Sequence, residues 1–302
     1  MTKHLFTKVA RQATAGVVAV ATAASLTACM SDDSGDDVIK IGSTEASESQ
    51  WKVFAEEAKK AGLNIEVVPY TDYPPVNDAV VNGDLDANQF QHIQYLAEYN
   101  VKSDSDLKPF GATETFPMGI YAKNASTIDE IIEDGEVVIQ NDSTNGGRAI
   151  KLLAAAGLIT LRQDDLIAPM PADIDESKSK VKVRAISAEQ TAVAYNEGSV
   201  AVINNNFLKN ANVTADDAIY KDDPSDPTAQ PYINVFVTRA DDVDNEDYQK
   251  LVEIWRDDAV QAAVAEDTSG SAVQADISQE ELEQVLEDTE QKFRDQGTSE
   301  DE

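Results

Sequence analysis

The sequence predicts an α/β protein made of two lobes with a cleft between them. Short apolar strands alternate with amphipathic helices from residue 38 onward, the pattern of a parallel sheet covered on both faces. The alternation restarts after residue 120, and the chain crosses between lobes near residues 115–122 and returns near 230–240. About 265 residues follow the N-terminal segment, enough for two lobes or one large core.

Val38–Ile41 forms the first strand, followed by a helix in which Trp51, Phe54, Ala55 and Ala58 recur at i, i+3, i+4 and i+7. Ile65–Val68 is the second strand. A helix from about Pro75 to Val81, a strand at Leu85–Ala87 and a helix from Gln89 to Tyr99 continue the series. After the crossing come a strand at Glu136–Ile139, a helix at Gly146–Ala156 and a strand at Val181–Ile186. A helix at Ala188–Asn196 and strands at Val200–Ile203 and Ile233–Thr238 follow, and two amphipathic helices close the chain. The last helix opens with Ser278-Gln-Glu-Glu281, a capping box, and carries Leu282, Val285, Leu286, Thr289 and Phe293 on one stripe. The first lobe is expected to comprise residues 38–118 plus 238–302, and the second residues 119–237. No internal repeat interrupts this plan.

Upstream, Lys3, Lys8 and Arg11 precede a run of small apolar residues at 13–28, the layout of a secretory signal peptide over residues 1–28. The run is too short and too rich in Ala and Thr to read as a membrane span. Leu26-Thr27-Ala28-Cys29 resembles the bacterial lipobox, in which the cysteine is diacylated and becomes the new N-terminus. Cys29 is the only cysteine, so the mature chain is expected to be tethered by lipid. Residues 29–37 then read as a flexible acidic stalk.

Acids outnumber cations 56 to 24, and removing the signal deepens the formal charge of −32 by three. Such acidity argues against nucleic acid and anionic lipid as partners. No Asp-x-Asp-x-Asp-Gly loop and no Cys/His cluster occurs, so no metal or other cofactor is expected. No Gly-x-Ser-x-Gly elbow accompanies His92, the single histidine after the signal, and no enzymatic activity is expected. The acids, Asp222-Asp223 among them, read as solvated surface.

Two segments carry the candidate site. In Asp86-Ala-Asn-Gln-Phe-Gln-His-Ile-Gln-Tyr95, Asn88 and Gln91 have the spacing of a helix cap and its N3 partner. Phe90, His92 and Tyr95 then gather at the start of one helix beyond a strand's C-terminal end, the edge at which α/β folds bind ligands. Alternatively, these rings belong to the core. In Asn141-Asp-Ser-Thr-Asn-Gly-Gly-Arg148, Asn145 reads as the cap and Arg148 as a first-turn cation, opposed by the helix dipole unless an anion docks there. The loop lacks the Lys-Ser/Thr ending of a nucleotide P-loop. Asn204 follows a strand and Asn234 lies within one; each either bonds backbone or faces a ligand.

These segments, with Asp72-Tyr73, Gly83-Asp-Leu-Asp-Ala-Asn88, Pro117-Met-Gly-Ile-Tyr121, Ala201-Val-Ile-Asn204 and Pro231-Tyr-x-Asn234, form an ordered set from about residue 38 to 240. The set resembles the NlpA lipoprotein family, the methionine-binding lipoproteins of ABC importers. Two departures, Gln94 where relatives often carry proline and Gln89 where an aromatic is frequent, touch no residue assigned to the ligand. The resemblance implies a two-lobed periplasmic-binding-protein architecture. It implies Tyr73, Phe90, His92 and Tyr95 around a ligand side chain, and Arg148, Asn204 and Asn234 on an amino-acid head group. It further implies a lipid-anchored, extracytoplasmic protein that delivers methionine to a permease and its ATPase. D- or L-methionine, another amino acid and a methionine-containing dipeptide all stay open as ligands, and a surface interaction lipoprotein is the alternative to a transport component.

Overall fold

The computed structural model describes residues 38–131 and 135–300, and the signal, Cys29 and the stalk lie outside them. Strands β1 (Val38–Ser43), β2 (Asn64–Pro69), β3 (Ala87–His92) and β4 (Lys108–Ala112) alternate with helices α1 (Ser49–Lys60), α2 (Pro74–Val81) and α3 (Ile93–Ser103). The short β5 (Glu114–Thr115) leads to β6 (Gly119–Tyr121), β7 (Glu136–Gln140), α4 (Ser143–Ala155), β8 (Lys182–Ile186), α5 (Ala188–Asn196), β9 (Val200–Ile203), α6 (Leu208–Ala211) and β10 (Tyr220–Lys221). β11 (Asn234–Thr238), α7 (Glu246–Trp255), α8 (Asp258–Asp267), β12 (Val273–Gln274) and α9 (Gln279–Glu300) complete the chain.

The strands form two five-stranded sheets, ordered β2-β1-β3-β11-β4 and β10-β6-β9-β7-β8, and a small β12-β5 ribbon. Neither sheet is purely parallel, as the alternation had suggested. β11 runs against β3 and β4, and β6 runs against β9 and β10. Both reversed strands are the ones that follow a crossing between lobes. They arrive without the helical crossover that forces neighbouring strands parallel. β11 also belongs to the first sheet, whereas the expected border at residue 237 gave most of it to the second lobe. Val235, Phe236 and Val237 on it are fully buried there.

One face of the first sheet is sealed by an aromatic cluster. Trp51 lies 5.2 Å from Trp255 between ring centroids, Phe54 5.9 Å from Phe236, and Phe110 5.0 Å from Tyr248. Each such side chain contributes about 1.5–3 kcal/mol when fully buried. The cluster draws on α1, α7 and α8, and with α9 three helices follow β11 where the sequence suggested two. On the opposite face α9 packs along α3 and β4. Its N-terminus is capped as expected, Ser278 N–H and hydroxyl donating to the Glu281 carboxylate at 3.0 and 2.8 Å.

β3 is longer than the sequence suggested, and α3 starts at Ile93 rather than near Gln89. Asn88 and Gln91 therefore do not cap a helix. Their polar side chains look out of place in a fully buried strand, but they satisfy one another. Asn88 and Gln91 both donate to Asn77 Oδ1, at 3.0 and 2.6 Å, and Asn77 donates back to Gln91 Oε1 at 2.9 Å.

In the second lobe, α4 packs so closely on its neighbours that two consecutive positions exclude a side chain. A Cβ at Gly146 would stand 2.6 Å from the Gln140 carbonyl oxygen, and one at Gly147 2.8 Å from the Ala168 Cα. Both obstacles are backbone, so neither can swing aside. Gly146→Ala is expected to cost about 1–3 kcal/mol. Chemical denaturation of the ligand-free protein would measure this, and an unchanged midpoint would contradict the close packing.

Candidate ligand-binding site

The C-terminal ends of β1, β3 and β9, the first two turns of α4 and both crossings converge on one cavity between the lobes. It is lined by Glu45, Tyr73, Phe90, Gln91, His92, Tyr95, Phe116, Pro117, Met118, Asn145, Arg148, Asn204, Asn205, Asn206 and Asn234. About 50 Å³ is open to the centre of a water-sized sphere. That is several times the ~10–15 Å³ needed for one water. All seven residues singled out from the sequence stand in its wall.

Aromatic rings form one end. Tyr73, Phe90 and Tyr95 lie 5.7–6.0 Å apart in pairs, and Phe207 backs Tyr73 at 5.7 Å. The rings are both cavity wall and core, because they join an apolar cluster that draws on both lobes. His92 caps α3, its Nδ1 accepting the Tyr95 backbone N–H at 3.1 Å. That assignment leaves the proton on Nε2, which donates to Asn145 Oδ1 at 3.3 Å. Burial, and then the Arg148 charge, lower the His92 pKa to about 3, so the ring is neutral at physiological pH.

The second lobe supplies a ladder of amides. Gln140 Nε2 donates to Asn204 Oδ1 at 2.7 Å, Asn204 Nδ2 to Asn145 Oδ1 at 2.8 Å, and Asn145 Nδ2 to Asp142 Oδ1 at 3.0 Å. Asp142, not Asn145, caps α4, accepting the Asn145 N–H at 2.8 Å. Arg148 consequently sits in the second turn, and the dipole conflict expected for a first-turn cation does not arise.

Arg148 is held from three sides. Nε and Nη2 fork onto Asp222 at 2.8 and 3.1 Å, Nη2 donates to the Phe116 carbonyl at 2.8 Å, and the guanidinium carbon lies 4.2 Å over the Tyr232 ring. Nη1 donates no hydrogen bond to the described residues. Asp222, read from sequence as surface acid, is therefore the residue that fixes Arg148. Nothing in the sequence flagged it, because the two lie 74 positions apart.

The lobes meet around the cavity. Tyr73 hydroxyl donates to Asn206 Oδ1 at 2.8 Å, and Lys209 of α6 pairs with Glu48 and with Asp267, the latter at 3.0 Å. On the other side Ser143 bonds Glu98, and Gln94 reaches the Ile167 carbonyl at 3.3 Å. Among the described residues no His/Cys/Asp/Glu group could hold a metal, and no helix is long and apolar enough to cross a membrane.

A profile of the NlpA lipoprotein family matches residues 39–276. The chain belongs to the NlpA lipoprotein family. It is 32% identical over 264 residues to the D-methionine-binding lipoprotein MetQ of Salmonella typhi, covering 86% of this chain and 96% of that one. A crystal structure of the Staphylococcus aureus protein PG110 superposes with a TM-score of 0.78 at 31% identity, covering 83% of this chain and 99% of that one. A nutrient-binding protein from Burkholderia cenocepacia bound to methionine gives 0.73 at 30% identity, covering 79% and 100%. The two-lobed fold of this chain is that of these substrate-binding proteins.

Within this family frame, the neutrality of His92 has a measurable consequence. Its folded pKa lies below the unfolded 6.5, so the unfolded chain takes up that proton first. The stability His92 contributes is complete above pH 6.5 and is lost as pH falls toward 3. Unfolding midpoints across that window should fall less steeply in His92→Gln than in the wild type. Parallel profiles would show the imidazole already charged in the fold.

Proposed function

We propose that this chain is the substrate-binding lipoprotein of an ABC importer, capturing methionine between its lobes and passing it to a membrane permease driven by an ATPase. The single observation that carries this reading is the cavity itself, which pairs an aromatic wall with a fixed guanidinium. Tyr73, Phe90, His92 and Tyr95 enclose the side chain. Their rings offer a thioether sulfur–aromatic contacts of ~0.3–1.5 kcal/mol each. A neutral His92 suits that purpose better than a charged one, since it adds no unpaired cation to an apolar slot.

Arg148 takes the ligand carboxylate, with Asn204 and Asn234 on the rest of the head group. Its fork is committed to Asp222, so the carboxylate meets the Nη1 edge. Closure of the lobes over the ligand is a hinge motion of the kind two-lobed binders use. The ligand leaves unchanged, because the chain carries out no reaction on it. Cys29, once diacylated, anchors the chain on the extracytoplasmic side of the membrane.

Isothermal titration of an unlipidated form, refolded to strip carried-over ligand, against L-methionine, D-methionine and other amino acids tests the reading. Saturable binding of a methionine enantiomer at micromolar affinity or tighter is expected. Arg148→Ala should weaken it at least 30-fold, since truncating one partner of a buried charge contact costs about 2–5 kcal/mol. Selective binding of a different amino acid would keep the transport role and reject the thioether slot. For the anchor, Cys29→Ala is expected to release the protein from the membrane fraction and abolish incorporation of labelled palmitate; retention on the membrane would reject Cys29.

A further inference from the structure

Four carboxylates crowd together where β1 ends: Glu45, Glu48, Glu114 and Asp267. Three of them have partners. Glu48 and Asp267 share Lys209, and Asp267 also accepts from the Gln50 N–H at 2.8 Å and the Ser49 hydroxyl at 2.9 Å. Glu114 accepts Trp255 Nε1 at 2.8 Å and Gln261 Nε2 at 3.1 Å. The Glu45 carboxylate receives no hydrogen bond and no ion pair from the described residues. Lys209, the one cation that acts on it, is already shared by its two neighbours.

Glu45 is also the one carboxylate in the wall of the main cavity, and it borders an adjoining space of about 20 Å³ together with Asn205 and Asn206. Those amides are spent elsewhere: Asn206 on Tyr73 and Thr44, Asn205 on Ser271. A half-buried acid among three others, with no donor of its own, is costly to hold in its charged form. A ligand cation would remove that cost.

We infer that Glu45 is the receptor for the ammonium group of the ligand, so that the site reads a zwitterion at two poles, carboxylate at Arg148 and ammonium at Glu45. This rests on the transport reading above. An ammonium has three donors, enough for Glu45 and for the amide oxygens of Asn204 and Asn234 together. A free amino acid and the N-terminus of a dipeptide present the same group. Burial, then repulsion from Glu114, Glu48 and Asp267, pushes the Glu45 carboxyl up to about 7. An ammonium needs the ionised form, so affinity should weaken as pH falls below that value.

The test is titration of L-methionine, glycyl-methionine and N-acetyl-methionine into wild type and Glu45→Gln at pH 8 and pH 5.5, with unfolding midpoints of both ligand-free proteins. The variant is expected to bind ammonium-bearing ligands at least tenfold more weakly at pH 8 and to lose the pH dependence. N-acetyl-methionine, which lacks the ammonium, should bind the two proteins alike. The ligand-free variant should unfold no earlier than wild type at pH 8, because a repelled charge has been removed. A loss seen with methionine assigns the α-ammonium; a loss confined to glycyl-methionine assigns the peptide N-terminus. Equal affinity of both proteins for every ammonium ligand, or an equal loss with N-acetyl-methionine, would overturn the role of Glu45. Wild type that binds none of the three would overturn the methionine reading on which the role of Glu45 rests.

Discussion

The Arg148–Asp222 pair is the interaction on which the site depends. Arg148 is nearly buried, its side chain 8% exposed against 29% for Asp222, and a guanidinium taken that far from water loses several kcal/mol of hydration. The structure compensates with a forked carboxylate, a backbone carbonyl and the face of Tyr232. Asp222 does a second thing at the same time. Its Oδ1 accepts the Met118 N–H at 2.8 Å, and its own N–H donates to the Met118 carbonyl at 3.1 Å. Residue 118 lies on the outgoing crossing and residue 222 on the return. One carboxylate therefore ties together both crossings and α4, so the cation is positioned relative to the axis about which the lobes would swing.

The polar wall of the cavity is ordered by a different device. From Gln140 through Asn204 and Asn145 to His92 and the Tyr95 backbone, each group's donor or acceptor role is set by the one before it. Asn145 Oδ1 takes two donors, one from each lobe, so the ladder crosses the cleft at that atom. In a low-dielectric interior such chains strengthen their members. The contacts that close the cleft are of this polar kind at Tyr73–Asn206, His92–Asn145 and Lys209–Asp267. Polar contacts can be exchanged for water at modest cost, which suits the hinge motion proposed above.

Local signals in the sequence were legible where periodicity alone decides the outcome. Ala188–Asn196 and Val200–Ile203 fall where the pattern placed them, as does the capping box at Ser278. The reading failed where tertiary partners override propensity. Asn88, Gln89 and Gln91 look like a helix start, yet Asn77 and Thr113 accept from their amide nitrogens and let the strand run on to His92. Asp142 displaced Asn145 as the cap because Asn145 is needed in the ladder. Strand direction in β6 and β11 depends on how the chain enters each lobe, which periodicity does not encode. The cavity residues identified through the family strings all reach the cavity, whereas Asp222 and Glu45 have no local signature and emerge only from three-dimensional proximity.

The large negative charge of the chain and the chemistry of the cavity act on different length scales. Many of the acids face outward, in pairs such as Lys250–Asp247 or toward solvent, where each contact contributes little and salt screens the rest. A zwitterion carries no net charge, so the field of the surface neither draws it in nor repels it. Inside, Arg148 is neutralised by Asp222, and the attraction proposed for a carboxylate would reside in the short reach of Nη1 rather than in an extended positive potential. Recognition at such a site is decided within hydrogen-bond distance. The acidic exterior is thereby free to follow the demands of the solvent without altering what the cleft selects.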